Sequence, residues 1–112
     1  MDDKRRLKRW HLIYYLRVFD QENEALLGHI VDITTEGMRL VSEWPIPLDK
    51  AFQLWMEIPR ETGESGKVYF QAHSLWTTED VNPDFHVTGY RLVSPSSRVT
   101  LQIRRLIAEF KF

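Results

Sequence analysis

Leu26-Leu27-Gly28-His29-Ile30-Val31-Asp32-Ile33-Thr34-Thr35-Glu36-Gly37-Met38-Arg39-Leu40-Val41-Ser42 sets two short apolar runs on either side of a small polar break. Leu26 to Ile33 is rich in the branched side chains that suit a pleated, half-buried surface, so it reads as a strand. Gly37 interrupts the pattern, and Met38 to Ser42 alternates apolar with polar residues at the period of two that a strand requires. The segment Thr34–Gly37 is therefore a turn between neighbouring strands.

Reading outward in both directions extends the pattern. His11 to Phe19 is aromatic and β-branched and forms the preceding strand, with Asp20-Gln21-Glu22-Asn23-Glu24 as its turn. Beyond Ser42, Pro45 and Pro47 exclude a central strand because proline cannot donate to a ladder. Phe52, Leu54, Met56 and Ile58 then alternate with Gln53, Trp55 and Glu57 as a fourth strand, ended by Pro59. Val68, Phe70 and Ala72 alternate with Tyr69, Gln71 and His73 in a fifth, which runs to about Trp76, and Phe85 to Val93 makes a sixth. Antiparallel hairpins throughout imply a meander that closes or nearly closes on itself. From Ser97 the period changes to that of a helix. Val99, Ile103, Leu106, Ile107 and Phe110 share one face, Arg98, Gln102, Arg104, Arg105 and Glu109 fill the other, and Ser96 or Ser97 caps the start. The expectation is a mainly β domain, a six-stranded antiparallel barrel over 11–93, whose helix at 96–110 lays its apolar stripe on an open face or end.

At 112 residues there is room for one core and one domain, 1–112. The composition, 43% hydrophobic and 28% charged, is that of a folding globular chain. A formal net charge of −1 argues against a partner that is a long nucleic acid, which calls for spread positive charge. The positive charge is local instead. Lys4, Arg5, Arg6, Lys8 and Arg9 face only Asp2 and Asp3 within residues 1–10, which read as a flexible, exposed basic leader. The absence of cysteine removes disulfides, thiolate zinc sites and thiol nucleophiles. No apolar run has the length of a secretory core or a membrane span, so membrane insertion is not expected and the reading is cytoplasmic.

Two constellations carry chemistry. In Arg5-Arg6-Leu7-Lys8-Arg9 the four-residue separation puts Arg5 and Arg9 on one side of either a helical turn or an extended strand. Guanidinium groups grip phosphate oxygens or a guanine edge in bidentate fashion and stack on purine faces. Taken alone, such a run is ordinarily a solvated flank. In Asp32-Ile33-Thr34-Thr35-Glu36-Gly37 the carboxylate can accept from a guanine amide edge, the hydroxyl lies on the same side, and glycine permits a turn or a close backbone approach. Taken alone, that hexapeptide is ordinarily an Asx- or Thr-stabilised turn with a helpful glycine. His11, His29, His73 and His86 lie on different strands without metal-ligand spacing, and no serine has a nucleophile-elbow context. No metal, cofactor or catalytic group is expected. Trp10, Trp44, Trp55 and Trp76 read as core or rim, although Trp55 falls on the polar phase of its strand and could mark a protein-contact patch.

The two constellations, in this order and across one hairpin, resemble the PilZ domain family, whose pattern is an R-x-x-x-R leader before strand one and a D/N-x-S-x-x-G turn after strand two. The resemblance extends to Trp76 at the end of strand five, to Gly89-Tyr90-Arg91-Leu92 in the last strand and to the terminal helix, and so covers nearly the whole sequence. It implies a PilZ-like barrel and binding of the bacterial second messenger cyclic di-GMP. Arg5 and Arg9 would hold phosphates and guanine faces, Arg6 would add a contact, and Asp32, Thr34 and Gly37 would line the base pocket. Thr34 stands where the pattern has serine; it keeps the hydroxyl, adds a methyl and stiffens χ1.

The function so implied is a non-enzymatic receptor or adaptor whose leader orders over cyclic di-GMP and thereby changes the surface offered to a downstream protein partner. One alternative is a PilZ-like interaction module without nucleotide affinity, for which Thr34 and an exposed Trp55 would speak. Another, from a different class, is a small barrel binding RNA or single-stranded DNA, against which the acidic remainder of the chain argues.

Overall fold

The computed structural model describes residues 16–58 and 66–110. Its elements are β1 (Arg17–Asp20), β2 (Leu26–Ile33), β3 (Gly37–Ser42), β4 (Ala51–Ile58), β5 (Gly66–Glu79), β6 (His86–Leu92) and the helix α1 (Ser97–Phe110). All strand pairings are antiparallel, and the six strands close into a barrel in the order β1-β2-β3-β6-β5-β4. The barrel is as expected, but it is not one uninterrupted meander. It is two three-stranded meanders joined through β3–β6 and β1–β4. In that ring β3 and β4 stand opposite each other, so the chain between them crosses a barrel end.

The crossing segment explains why no third-to-fourth hairpin forms. Pro45 and Pro47 cannot donate to a ladder, and Ile46 between them is buried in the core. The segment then fastens to β5 instead. The buried Ser74 donates its hydroxyl to the Pro47 carbonyl at 2.7 Å and accepts the Lys50 amide at 3.1 Å, while backbone bonds link Asp49 and Lys50 to Ser74.

Inside the barrel the alternation seen in the sequence holds. Phe52, Leu54 and Met56 of β4 and Val68, Phe70 and Ala72 of β5 pack with Val18, Ile30, Met38, Leu40, Tyr90 and Leu92. Each aliphatic side chain taken out of water contributes about 1.5–3 kcal/mol. Because the sheet is closed, α1 can reach this cluster only over an end, which decides between the two placements the sequence leaves open. Ile103 and Leu106 are wholly buried in the core and Val99 and Ile107 pack against it. Ser96 is the residue that caps the helix, its hydroxyl accepting the Val99 amide at 3.2 Å. No helix among the described residues is long and apolar enough to cross a membrane.

Several strand limits differ from expectation, β3 starting at Gly37 and not Met38 and β4 at Ala51 and not Phe52. Of the first strand, 11–15 fall outside the described residues, and β1 begins at Arg17. The sixth strand is His86–Leu92, one residue shorter at each end. The fifth continues past Trp76 to Glu79, because an irregularity between Ser74 and Trp76 resets its pairing with β6.

Candidate functional site

Two β-bulges decide what the outer wall presents. The β2–β3 register steps from Ile30↔Leu40 to Asp32↔Arg39, leaving Val31 as the extra residue. Ile30 and Ile33 both point into the core, so Val31 and Asp32 both face out. A regular strand would have carried Asp32 inward on the phase of Ile30 and buried its charge. The second bulge, at Leu75, acts in the same way. Ser74 is buried, Leu75 and Trp76 are exposed, and the regular phase of Ala72 and Ser74 would have turned Trp76 inside.

The ladder then aligns these residues. Asp32 pairs with Arg39, Arg39 with Gly89, and Gly89 with Trp76, so β2, β3, β6 and β5 contribute one continuous row across the outer wall. At one end of the row Arg39 donates from Nε to Asp32 Oδ2 at 2.8 Å, and its Nη2 bonds the same oxygen. Both side chains remain nearly half exposed. The bond to Asp32 raises the Arg39 pKa, with partial burial working against it. At the other end the Trp76 ring lies flat over Gly89. A Cβ on Gly89 would stand 2.4 Å from the indole, so only glycine leaves room for it.

The Thr34–Gly37 turn borders this row. Thr34 donates its amide to the Gly37 carbonyl at 2.8 Å, and its hydroxyl accepts the amides of Glu36 at 3.1 Å and Gly37 at 3.2 Å. The hydroxyl thus builds the turn, a task threonine performs as serine would. Gly37 serves close approach: a Cβ there would lie 2.5 Å from the Tyr90 carbonyl of β6. Opposite Gly37 is Arg91, an exposed cation with no ion pair among the described residues.

Asp32, Thr34 and Gly37 therefore gather at one place on the wall. Arg5, Arg6 and Arg9 lie outside the described residues. What can be located is where the chain enters β1. The Leu16 carbonyl accepts the Ile30 amide at 3.0 Å and Arg17 pairs with His29, so the N-terminal end of β1 lies two residues from Asp32 along β2.

Arg39 and Trp76 are the candidate site residues that the row adds and sequence reasoning did not place there. Arg39 was within reach, since it lies on the outward phase between Met38 and Leu40, beside Asp32. Trp76 was not, because its orientation depends on a bulge. Trp55 corrects the opposite expectation. It lies on the outer wall but is only 9% exposed, stacked on Phe19 at 4.4 Å between ring centroids with the Lys67 ammonium 4.3 Å from its ring. It is covered, and is no exposed contact patch. Among the described residues no group of three or more histidine and acidic side chains could hold a metal ion.

A match to the PilZ domain family runs over residues 3–109. The chain belongs to the PilZ domain family. Solved structures with the same fold include the Bacillus subtilis inhibitor of motility MotI/DgrA, with a TM-score of 0.66 at 9% identity over 84% of this PilZ chain and 45% of that one. Escherichia coli YcgR, solved in complex with c-di-GMP, superposes with a TM-score of 0.63 at 17% identity over 86% of this chain and 40% of that one. At such identities the likeness is one of fold, and this PilZ domain spans less than half the length of either neighbour. No curated protein sequence gives a significant match.

Proposed function

We propose that this PilZ domain is a cyclic di-GMP receptor that takes the nucleotide on the row Asp32, Arg39, Gly89 and Trp76, with Arg5, Arg6 and Arg9 closing over it. The observation that carries the reading is the pair of bulges that turn a carboxylate and an indole, otherwise destined for the core, outward onto one line. A guanine offers N–H donors along one edge and a flat π face, and the row offers a carboxylate acceptor and a flat ring. Thr34 and Gly37 shape the turn beside it, and β1 begins close to Asp32, which favours delivery of the leader arginines to the same place. Membership of the family and the nucleotide held by the YcgR neighbour point the same way. The domain acts as a holder and adaptor, not a catalyst.

Isothermal titration with cyclic di-GMP tests this. The wild-type chain binds, Arg9→Ala weakens binding at least about tenfold, and Arg9→Lys recovers little, because an ammonium cannot replace a bidentate fork. Unchanged affinity in either variant would contradict this role of the leader.

A second reading, a PilZ module acting through protein contacts alone, loses Trp55 as support. The structure offers it Trp44 instead, 72% exposed, at the rim of a cavity of about 260 Å³ lined also by Leu26, Leu27, Val41 and Phe85. A wild-type chain silent to the dinucleotide would favour it.

A further inference from the structure

We infer that Arg39 is the positioning residue of the base pocket: by clamping Oδ2 of Asp32 it leaves Oδ1 as an oriented acceptor that reads the N1–H and N2–H of guanine together. The inference rests on the cyclic di-GMP reading above and specifies how that site selects its base.

The clamp follows from the geometry of one cross-strand pair. Arg39 gives two N–H groups to a single oxygen, Nε at 2.8 Å and Nη2 beside it. Oδ1 receives no hydrogen bond among the described residues. A carboxylate on an exposed strand turns freely about χ2, since that torsion is broad. Two bonds to one oxygen from a rigid planar fork fix its plane. The two residues stand directly opposite each other on neighbouring strands, so the ladder, not a long loop, sets their separation.

On its other side Arg39 faces Gly89, which has no side chain to compete for the guanidinium. The Trp76 ring beyond that glycine sets a second plane. In the inferred complex a base stacked on the indole over Gly89 turns its edge along the row toward the carboxylate. A fixed Oδ1 then rewards two adjacent donors, which guanine has, over the single N1–H of hypoxanthine. A carboxylate free to rotate re-aims at whichever donor is present and discriminates less. Sites built to bond a polar group reject the analogue that lacks it far more strongly when the partner cannot relax.

The test compares cyclic di-GMP with cyclic di-IMP, the same ring without its exocyclic amines, by calorimetry on the full chain. The wild type should prefer cyclic di-GMP at least about tenfold, and Arg39→Ala should narrow that preference to under about threefold while weakening cyclic di-GMP. Arg39→Gln, which keeps bulk but lacks the fork, should behave alike. Because Arg39 acts through Asp32, Asp32→Asn combined with Arg39→Ala should bind within about twofold of Asp32→Asn alone. The pair is nearly half exposed, so the variants keep the wild-type circular dichroism spectrum and unfold cooperatively.

Tighter binding by Arg39→Ala would make Arg39 a competitor of the ligand and overturn the inference. An undiminished preference would overturn it too, as would additive losses in the double variant. In each case the wild type still binds and the receptor reading stands. A wild type that binds neither dinucleotide defeats the receptor reading itself, and this inference with it.

Discussion

At Trp76 and Gly37 single atoms decide what the wall can do. The indole lies flat because Gly89 has no Cβ, and a base stacked on an aromatic ring gains about 1–3 kcal/mol. Trp76→Ala should therefore weaken cyclic di-GMP binding by roughly 5- to 150-fold, and Trp76→Phe should keep most of the affinity. An alanine variant that titrates like wild type would take the ring out of the site. Gly37 is different in kind. Its missing Cβ makes room for the Tyr90 carbonyl, so Gly37→Ala forces β3 from β6 and should cost about 1–3 kcal/mol in urea denaturation. Loss of ligand affinity in that variant follows from a displaced turn, and unchanged stability would refute the close packing. Of the six residues picked from the sequence, Asp32, Thr34 and Gly37 meet at one turn, and Arg5, Arg6 and Arg9 fall outside the described residues. Asp32 and Gly37 could be read because each sits in a short local pattern. Trp76 could not, since its side depends on whether one extra residue is inserted into β5.

Among the elements, β2 and β5 owe their use to irregularity and α1 owes its place to regularity. A strand alternates sides strictly, so a bulge is the cheapest way to expose a residue whose phase points inward. The bulge at Val31 and the bulge at Leu75 each shift one residue and align Asp32 with Trp76 across two intervening strands. The helix was legible from its spacing alone, as were the six strands, though not most of their limits. What spacing left open was the surface it covers. With Ile103 wholly buried in the barrel core, Ile103→Ala should destabilise the domain by about 2–5 kcal/mol, measured as a fall in the denaturation midpoint with little change in slope. A cost under about 0.5 kcal/mol, as for a surface substitution, would mean that the helix does not plug the barrel.

For the molecule as a whole, β1 and β4 pair through Val18–Asp20 and Leu54–Met56, so the described ring closes without a terminal edge strand. Global stability carries a pH signature from half-buried His29. Burial lowers its pKa from the ordinary 6.5, the Arg17 guanidinium lowers it further, and Glu43 opposes both. The unfolded chain therefore takes up a proton below about pH 6.5 that the folded one resists, and this contribution to stability is lost as the pH falls through that region. Urea midpoints at pH 7.5 and 5.5 should show the decline, and His29→Gln should reduce it; a midpoint that rises on acidification contradicts the assignment. The sequence by itself determined the elements and the antiparallel class, because alternation, proline and helical spacing are local properties of the chain. It also determined the composition of the turn that borders the site. Only the tertiary structure decided that β3 pairs with β6, that Trp55 is covered, and that Arg39 and Trp76 stand in line with Asp32. Those outcomes depend on ring order and ladder register, which are set by residues far apart in sequence competing for one core.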